Sequence, residues 1–487
     1  MKRNKFSLSH TKLFTHDLGE LVPSMCLEVL PGDTIQHACS ALVRASPLLS
    51  PVMHPVDVRI ANYFVPTRLL WTNFADMITG GPAGVSLPVH PTVASPGGTG
   101  FVVGSLGDYL GIPTGVPTIP VSALPFRAYA LIWNEFFRDQ DLETPLVVSL
   151  ADGVDSTTSL VLKNCAWEKD YLTSARPTEQ KGPAISIPLG TSAPVVTSGA
   201  PLKVTNASAS NVSLSTVGGA VTMTGGGSNA TMTMGTPSGL QADLSTASAI
   251  TVNALRQAMA LQRYEENRSR YGSRYTEYLR FLGVKSSDAR LQRPEYLGGG
   301  SQTIQFSEVL TTGTFGTEPV GALKGHGLSA MRSNRYRRFF EEHGFVISLM
   351  SVRPKTMYLN SLKRIWNRRA KEDYWQHELQ HLGQQAVLNK EVYSAHTTPD
   401  GIFGYQDRYD EYRREESTVS GEFRSTLNFW HFGRSFGSNP ALNASFVSCV
   451  PTEVPFALPS ADVLWTMSKH SIQARRLVAP VGNSFIR

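Results

Sequence analysis

A pair of closely spaced histidines offers the most recognisable chemistry in this sequence. His377-Glu378-Leu379-Gln380-His381 matches the pattern H-E-x-x-H. On a helix, this spacing can present two imidazoles to one zinc ion, with the glutamate acting as the general base of a hydrolase. The motif therefore raises a zinc-dependent hydrolase as one function for the chain.

The rest of a zinc site is missing around this motif. The longer zincin signature continues with a glycine and a third histidine, but Gln384 and Val387 stand at those positions. If residues 362–393 form a helix, as their pattern predicts, His377 and His381 face nearly opposite its apolar stripe. We therefore expect no metal or cofactor here and interpret the histidines as exposed or as part of an interface. The sequence also lacks a phosphate-binding glycine loop and a G-x-S-x-G nucleophile, so no enzyme is predicted.

Clusters of cationic residues with aromatic neighbours suggest a second kind of chemistry. Such a mixture suits single-stranded nucleic acid, because cations contact phosphates and rings stack on bases. The alternative is that many of these arginines pair with nearby carboxylates such as Glu372 and Asp373. The candidate nucleic-acid-binding residues are Lys2, Arg3, Lys5, Lys12, Arg364, Arg368, Arg369, Arg475 and Arg476, and a further cluster, Arg332, Arg335, Arg337 and Arg338, surrounds Tyr336.

The composition of the chain restricts the kinds of protein that could carry these clusters. The 487 residues include 41 glycines and 30 prolines, which favours many turns and long loops. The net charge of +6 is a mild basic bias, compatible with a polyanionic partner. The four cysteines are scattered, which predicts a reducing cytoplasm rather than a disulfide scaffold. The basic start has no apolar run after it and no stretch approaches a membrane span, so neither secretion nor membrane insertion is expected.

Short strand-like runs near both ends and helical connections between them must position these groups. Alternation in 56–64 predicts a strand with one exposed face, whereas the apolar runs 344–354, 444–451 and 461–469 predict strands buried on both faces. Helices are predicted over 126–140, over 252–283 with a break near Gly272, and over 362–393. Residues 190–249 are rich in Gly, Ser and Thr and almost uncharged. Their alternating Val, Met and Thr favour a surface insertion of short strands over a disordered linker.

Two stretches of the sequence are distinctive, namely "DARLQRPEYLGGGS" (288–301) and "QAVLNKE" (385–391). Both resemble the major capsid proteins of microviruses, most closely the gokushovirus-like branch, and both are highly specific to that family. The similarity continues in order through "LSHTKLFTHDLGELVPSMCLEVLPGDTI" (8–35), "SALPFRAYALIWNEFFRDQDL" (122–142) and "EHGFVISLMSVRP" (342–354). It fades in 190–249 and after about Trp430. His381 fits the family pattern, whereas His377 is incidental to it.

This resemblance implies a structural protein with an eight-stranded antiparallel jelly-roll β-sandwich and helix-containing loop insertions. One domain, 1–487, would include 190–249 as a variable surface insertion that projects outward near the three-fold axis. About sixty copies are expected to form a T=1 icosahedral shell around a circular single-stranded DNA genome.

The expected partners are further copies of the chain at the five-, three- and two-fold axes, the DNA, and a host surface receptor. A small basic DNA-packaging protein, a pilot protein and a scaffolding protein of the same virus complete the set. Assembly is expected in the cytoplasm of the host bacterium, and the product is the virion capsid. The zinc hydrolase stays as the alternative, and a soluble single-stranded DNA-binding module that never assembles is a second.

Overall fold

The computed structural model describes residues 3–183, 185, 195–197, 203–205, 211–217, 220–223, 233–234, 240–242, 252–272, 274–313 and 320–480. The chain divides into two compact units. The first contains Met1–Glu179 and Arg268–Arg487, and the second is Gln180–Asn267.

Antiparallel strands dominate the described residues. In chain order they are β1 (Asn4–Ser7), β2 (His10–His16), β3 (Val22–Val29), β4 (Thr34–Ala45), β5 (Val56–Pro66), β6 (Thr92–Ala94), β7 (Pro120–Ser122), β8 (Val195–Thr197), β9 (Lys203–Thr205), β10 (Asn211–Val217), β11 (Ala220–Met223), β12 (Thr233–Met234), β13 (Leu240–Ala242), β14 (Glu295–Thr303), β15 (Gln305–Leu310), β16 (Leu323–Arg332), β17 (Tyr336–Phe339), β18 (Gly344–Pro354), β19 (Gln384–Leu388), β20 (Ile402–Asp407) and β21 (Leu464–Arg476).

Helices are short, apart from one. They are α1 (Phe74–Thr79), α2 (Leu106–Tyr109), α3 (Leu124–Ile132), α4 (Val252–Tyr271), α5 (Tyr275–Phe281), α6 (Asn389–Val392) and α7 (Ala444–Val447). Among the described residues, no helix has both the length and the apolar character needed to cross a lipid bilayer.

A seven-stranded sheet is organised around β21, the last strand described. Its order is β1-β21-β4-β16-β15, with β2 also pairing with β21 and β17 with β4. Strands β21 and β4 are in register from Leu464 opposite Ala45 to Arg475 opposite Thr34. On its other side β21 pairs with β2 and β1, so the two ends of the described chain meet in one sheet.

The second sheet of this unit has four strands in the order β14-β5-β18-β3. Strand β18 pairs with β5 along its whole length, from Gly344 opposite Pro66 to Pro354 opposite Val56. Because β18 lies between β5 and β3, and nearly all its residues are buried, the apolar run that predicted it is explained.

Apolar residues from both sheets fill the space between them. One cluster joins Val43 of β4 and Met331 of β16 to Val58 of β5 and Met350 of β18. A second joins Ile35 and Ile472 to Phe64 and Val346. The strands of the seven-stranded sheet therefore bury alternate residues and present the others on the face away from the four-stranded sheet.

Most of the predicted strands and helices are confirmed. The strand predictions over 56–64 and 344–354 correspond to β5 and β18, and that over 461–469 to β21. However, β21 has one exposed face rather than two buried ones. The helix over 126–140 is α3 with a π-turn that continues it, and the break near Gly272 is confirmed, because Gly272 has a φ of +101° between α4 and α5. The mainly antiparallel β architecture is also confirmed, and the eight-stranded jelly roll stays a prediction.

Two element predictions are wrong. Residues 444–451 begin with α7 instead of a strand, because the Asn443 side chain accepts a hydrogen bond from the Phe446 amide and caps a helical turn. Residues 362–393 form no long helix. They contain two 3₁₀ turns, then β19 paired with β20, and then α6. Tertiary pairing with a distant strand outweighs the helical preference of that stretch.

The second unit contains strands of two to seven residues. Strands β11, β10, β9 and β12 form one antiparallel sheet, and β13 pairs with β8. Most of the predicted insertion 190–249 lies outside the described residues, but the short strands expected there are present.

Candidate nucleic-acid interface

The H-E-x-x-H motif lies in a turn before β19 and not on a helix. His377, Glu378 and His381 are all exposed. The Nδ1 atom of His377 is 3.2 Å from the side-chain nitrogen Nε2 of Gln380. Within the described part of the chain, no three His, Cys, Asp or Glu side chains are grouped so that they could hold a metal ion. The predicted position of both histidines opposite the apolar stripe of a helix is therefore wrong, but their predicted exposure is confirmed.

Arg364 and Arg368, which are candidate DNA ligands, belong to an internal ion-pair network. The Arg364 guanidinium lies 3.1 Å from a carboxylate oxygen of the buried Glu391 and donates to the Ala386 carbonyl at 2.8 Å. The Arg368 guanidinium lies 4.5 Å from the centre of the Tyr412 ring. Both cations are thus occupied within the chain, which argues against the predicted nucleic-acid contact.

Arg369, the third cation of that cluster, is exposed. One of its guanidinium nitrogens donates to the backbone carbonyls of Trp366, at 3.1 Å, and Arg368, at 2.8 Å. Arg369 is therefore accessible to a ligand, but it lies outside the described strands and helices and so belongs to no row of cations on a sheet.

Lys12 points into the protein. It lies opposite the buried Ser468 on β21, and its ammonium donates to the carbonyls of Pro23, at 2.8 Å, and Tyr109. Burial lowers the pKa of Lys12 to about 8, although nearby Asp108 partly opposes this shift. This geometry argues against the predicted contact between Lys12 and DNA, because the strand position directs Lys12 away from the exposed face.

Arg476 also points inward. Its guanidinium is 3.0 Å from the carboxylate of the buried Asp33 and donates to the Glu28 carbonyl at 2.7 Å. These bonds tie the end of β21 to the β3–β4 connection. Arg476 is therefore a structural ion-pair residue rather than an available cation.

The remaining terminal candidates lie on the exposed face of the seven-stranded sheet. Lys5 of β1 is directly opposite Arg475 of β21, and both side chains are exposed. Arg3 is exposed beside them and lies 5.3 Å from the centre of the Phe339 ring. Lys2 lies outside the described residues.

Four more cations share this surface, which we call the basic face. They are Arg44 of β4, Lys469 of β21, Arg332 of β16 and Arg337 of β17, all exposed. Directly paired residues of antiparallel strands lie on the same side of a sheet, so the pairing shows which side chains share the basic face. Lys469 and Arg332 flank Ser40, for example. In the seven described strands, no exposed-face position carries a carboxylate.

Large apolar side chains lie between these cations. Trp465 is 46% exposed, Phe339 49%, Met467 43% and Leu13 79%. A surface of this kind can bind phosphates through its cations and unpaired bases through its rings, with little dependence on sequence.

Comparison with known proteins identifies the chain. The family model described as "Capsid protein (F protein)" matches residues 1–479. The chain belongs to this phage capsid protein family. "Capsid protein VP1" of Bdellovibrio phage phiMH2K is 37% identical and covers 94% of this chain and 90% of its own length. "Capsid protein VP1" of Chlamydia phage 1 is 34% identical over 94% of this chain and 91% of its own length. "Capsid protein VP1" of Spiroplasma virus 4 is 31% identical over 91% of this chain and 87% of its own length.

Membership of the capsid family decides between the two classes of function raised by the motifs. The chain is a structural protein of a microvirus-like phage virion and not an enzyme. The zinc hydrolase alternative is accordingly rejected, and the histidine pair of this capsid protein is a surface feature.

Three residues of the basic face, Arg44, Lys469 and Trp465, are not among those predicted from the sequence to bind nucleic acid. The signal for them is the strict alternation of β21, in which every second residue from Trp465 onward is exposed. The apolar residues Leu464, Trp465 and Met467 at the start of this strand predict burial on both faces. The period-two pattern is carried by its polar half, because Lys469 and Gln473 lie on the exposed face four and eight residues after Trp465.

Proposed function

We propose that this capsid protein assembles as about sixty copies into a closed T=1 icosahedral shell around a circular single-stranded DNA genome. Each subunit would contribute a jelly-roll wall, and loop insertions would bury surface between neighbours. The observation that supports this most strongly is the family match over residues 1–479, at 37% identity to a phage capsid protein.

The basic face is the surface proposed to contact the DNA. It gathers Lys5, Arg475, Lys469, Arg332 and Arg44 with exposed aromatic side chains, and the one carboxylate in the described strands of this sheet, Glu308 of β15, pairs with Gly325 on the opposite face. A net charge of +6 per chain gives only about +360 for the shell, against thousands of phosphates. The contact is therefore local and sequence-independent, and a small basic packaging protein supplies much of the neutralisation.

The other partners follow from the same proposal. Assembly takes place in the host bacterial cytoplasm with a scaffolding protein, and a pilot protein accompanies the genome. Residues 190–249 project outward near the three-fold axis and contact a host receptor. Their low charge and small side chains suit a protruding surface.

Electron cryo-microscopy of the expressed protein tests the assembly. Closed icosahedral particles of a single small size are expected. If the purified chain stays monomeric under all assembly conditions and still binds DNA, it is a soluble single-stranded DNA-binding module instead.

Single-stranded DNA binding by unassembled subunits tests the basic face. The variant Lys5→Ser/Lys469→Ser/Arg475→Ser should bind more weakly. The slope of the logarithm of its binding constant against the logarithm of the salt concentration should be smaller by about 0.7 for each lost phosphate contact. A control variant with the same loss of charge, Lys285→Ser/Arg290→Ser/Lys371→Ser, removes exposed cations outside the basic face. Equal effects of the two variants would contradict a localised DNA face.

A further inference from the structure

A recess of about 600 Å³ opens on the basic face where β21, β4 and β16 lie side by side. Its lining includes Trp465, Arg44, Leu328, Lys324 and Val309. The lining residues that the structure describes all belong to the first unit.

Strand register places the key side chains in one row. Trp465 is directly opposite Arg44, and Arg44 is directly opposite Leu328 on its other side. Directly opposed side chains in antiparallel sheets have Cβ atoms about 4.5–5.5 Å apart. The side chain of Arg44 therefore starts between the indole of Trp465 and the isobutyl group of Leu328, and each of these two side chains is more than a third exposed.

The chemistry of this row matches one nucleotide. A flat indole offers a stacking surface for a base, and a neighbouring arginine offers a cation for its phosphate. We propose that the recess binds a nucleotide of single-stranded DNA, with the base against Trp465 and the phosphate on Arg44. This inference rests on the proposed role of the basic face and adds a defined base-binding position to it.

Charge favours this occupant over a protein segment. Among the described residues that line the recess, Arg44 supplies a cation and His326 an imidazole, and none carries a carboxylate. The cationic arm of a packaging protein would meet like charges there, whereas a phosphodiester meets opposite ones. A neighbouring subunit is the competing occupant, and the experiment below distinguishes it.

The test compares two oligonucleotides of equal length, one of oligo-dT and one with abasic sugars, so that the phosphate count is the same. Wild-type subunits should bind oligo-dT more tightly. Trp465→Ala should weaken oligo-dT binding by about 5- to 100-fold and leave abasic binding unchanged. Trp465→Phe should restore most of the difference because it keeps a ring.

Arg44→Gln should weaken both oligonucleotides and reduce the salt slope by about 0.7. The control is Trp366→Ala, which removes a tryptophan that is 64% exposed outside the basic face and should change neither affinity. Circular dichroism of each variant verifies that it is folded.

The outcomes separate this inference from the broader one. Salt-dependent binding with equal affinity for oligo-dT and abasic DNA overturns the nucleotide recess and keeps the DNA face. No binding of either oligonucleotide overturns both. If Trp465→Ala blocks particle formation but leaves oligo-dT affinity intact, the recess is a subunit contact and the inference is wrong.

Discussion

Single residues on the N-terminal strands show how strand parity decides the role of a cation. Lys5 and Lys12 have the same chemistry, but Lys5 lies opposite the exposed Arg475 and Lys12 opposite the buried Ser468. The same rule separates Arg475 from its neighbour Arg476, which is turned towards Asp33. Residue type alone therefore identifies a basic cluster, and position in the alternation identifies which members are accessible.

Arg127 is an example of a cation whose only role is internal. It is fully buried on α3, lies 2.8 Å from the Asp155 carboxylate, and donates to the Leu70 and Ala151 carbonyls. Burial alone would raise the pKa of Asp155, but hydrogen bonds from Thr158 and other neighbours lower it to about 2.

Replacing Arg127 tests the importance of that pair. Arg127→Met should reduce the free energy of unfolding by about 3–5 kcal/mol, because it leaves the Asp155 carboxylate buried without its charged partner. Arg68→Met is the control, since the Arg68–Glu342 pair is well exposed and should contribute at most about 1 kcal/mol. Urea unfolding of both variants measures the difference, and similar losses would contradict the assignment.

At the scale of elements, three strands are joined by a stack of histidines. His10 of β2, His470 of β21 and His37 of β4 have ring centroids 5.1 and 5.3 Å apart in succession. The His37 Nε2 and His470 Nδ1 atoms are 3.0 Å apart, so one ring donates and the other accepts. Burial lowers the pKa of His37 to about 4 and, with repulsion from the neighbouring rings, that of His470 to about 3.

This stack should make subunit stability sensitive to acid. The pKa values of these histidines are lower in the folded chain than the unfolded value of about 6.5. Their neutral form therefore contributes fully to the free energy of unfolding above pH 6.5, and this contribution is lost as the pH falls towards 4. His470→Gln should flatten the pH dependence of unfolding between pH 4 and 6.5. The exposed His377→Gln/His381→Gln variant should not, and an equal effect from that variant would contradict the stack's role.

Elements were predictable where the local pattern and the tertiary environment agree. The run 344–354 is apolar because β18 is covered on both sides, so its pattern was sufficient. The stretch 362–393 has the composition of a helix, but β19 forms there because β20, which follows Gly401, pairs with it. A pairing partner outside the stretch leaves no local signal, which is also why the basic face appears only after the strands are aligned.

At the scale of the whole molecule, charge is distributed unevenly over a chain with a modest total of +6. The described positions of the basic face hold cations without carboxylates, while the interior holds paired ions such as Arg364–Glu391. The family resemblance could be stated from the sequence because its specific stretches span most of the chain. The location of the basic face could not, because it depends on which of the scattered cations the sheet places side by side.

The insertion provides a test at this scale. Replacing residues 190–249 with a short Gly/Ser linker should still permit closed particles, since the whole of this segment belongs to the second compact unit, Gln180–Asn267. Virions with the replacement should lose adsorption to host cells, because the proposed receptor contact is removed. Particle counts by electron microscopy and adsorption assays measure the two effects separately. Failure to form particles would show that the segment is required for assembly, contrary to expectation.

The central position of β21 has a consequence for the timing of folding. Strand β4 pairs with a strand roughly 430 residues later in the chain. At ribosomal rates of about 5–20 residues per second, β2 and β4 wait roughly 20–90 s for this partner, with their edges unpaired. The sheet that carries the basic face can therefore close only after β21 has been synthesised. Ribosomes that stall before β21 should release chains prone to aggregation, and nascent subunits should depend on chaperones until that strand emerges.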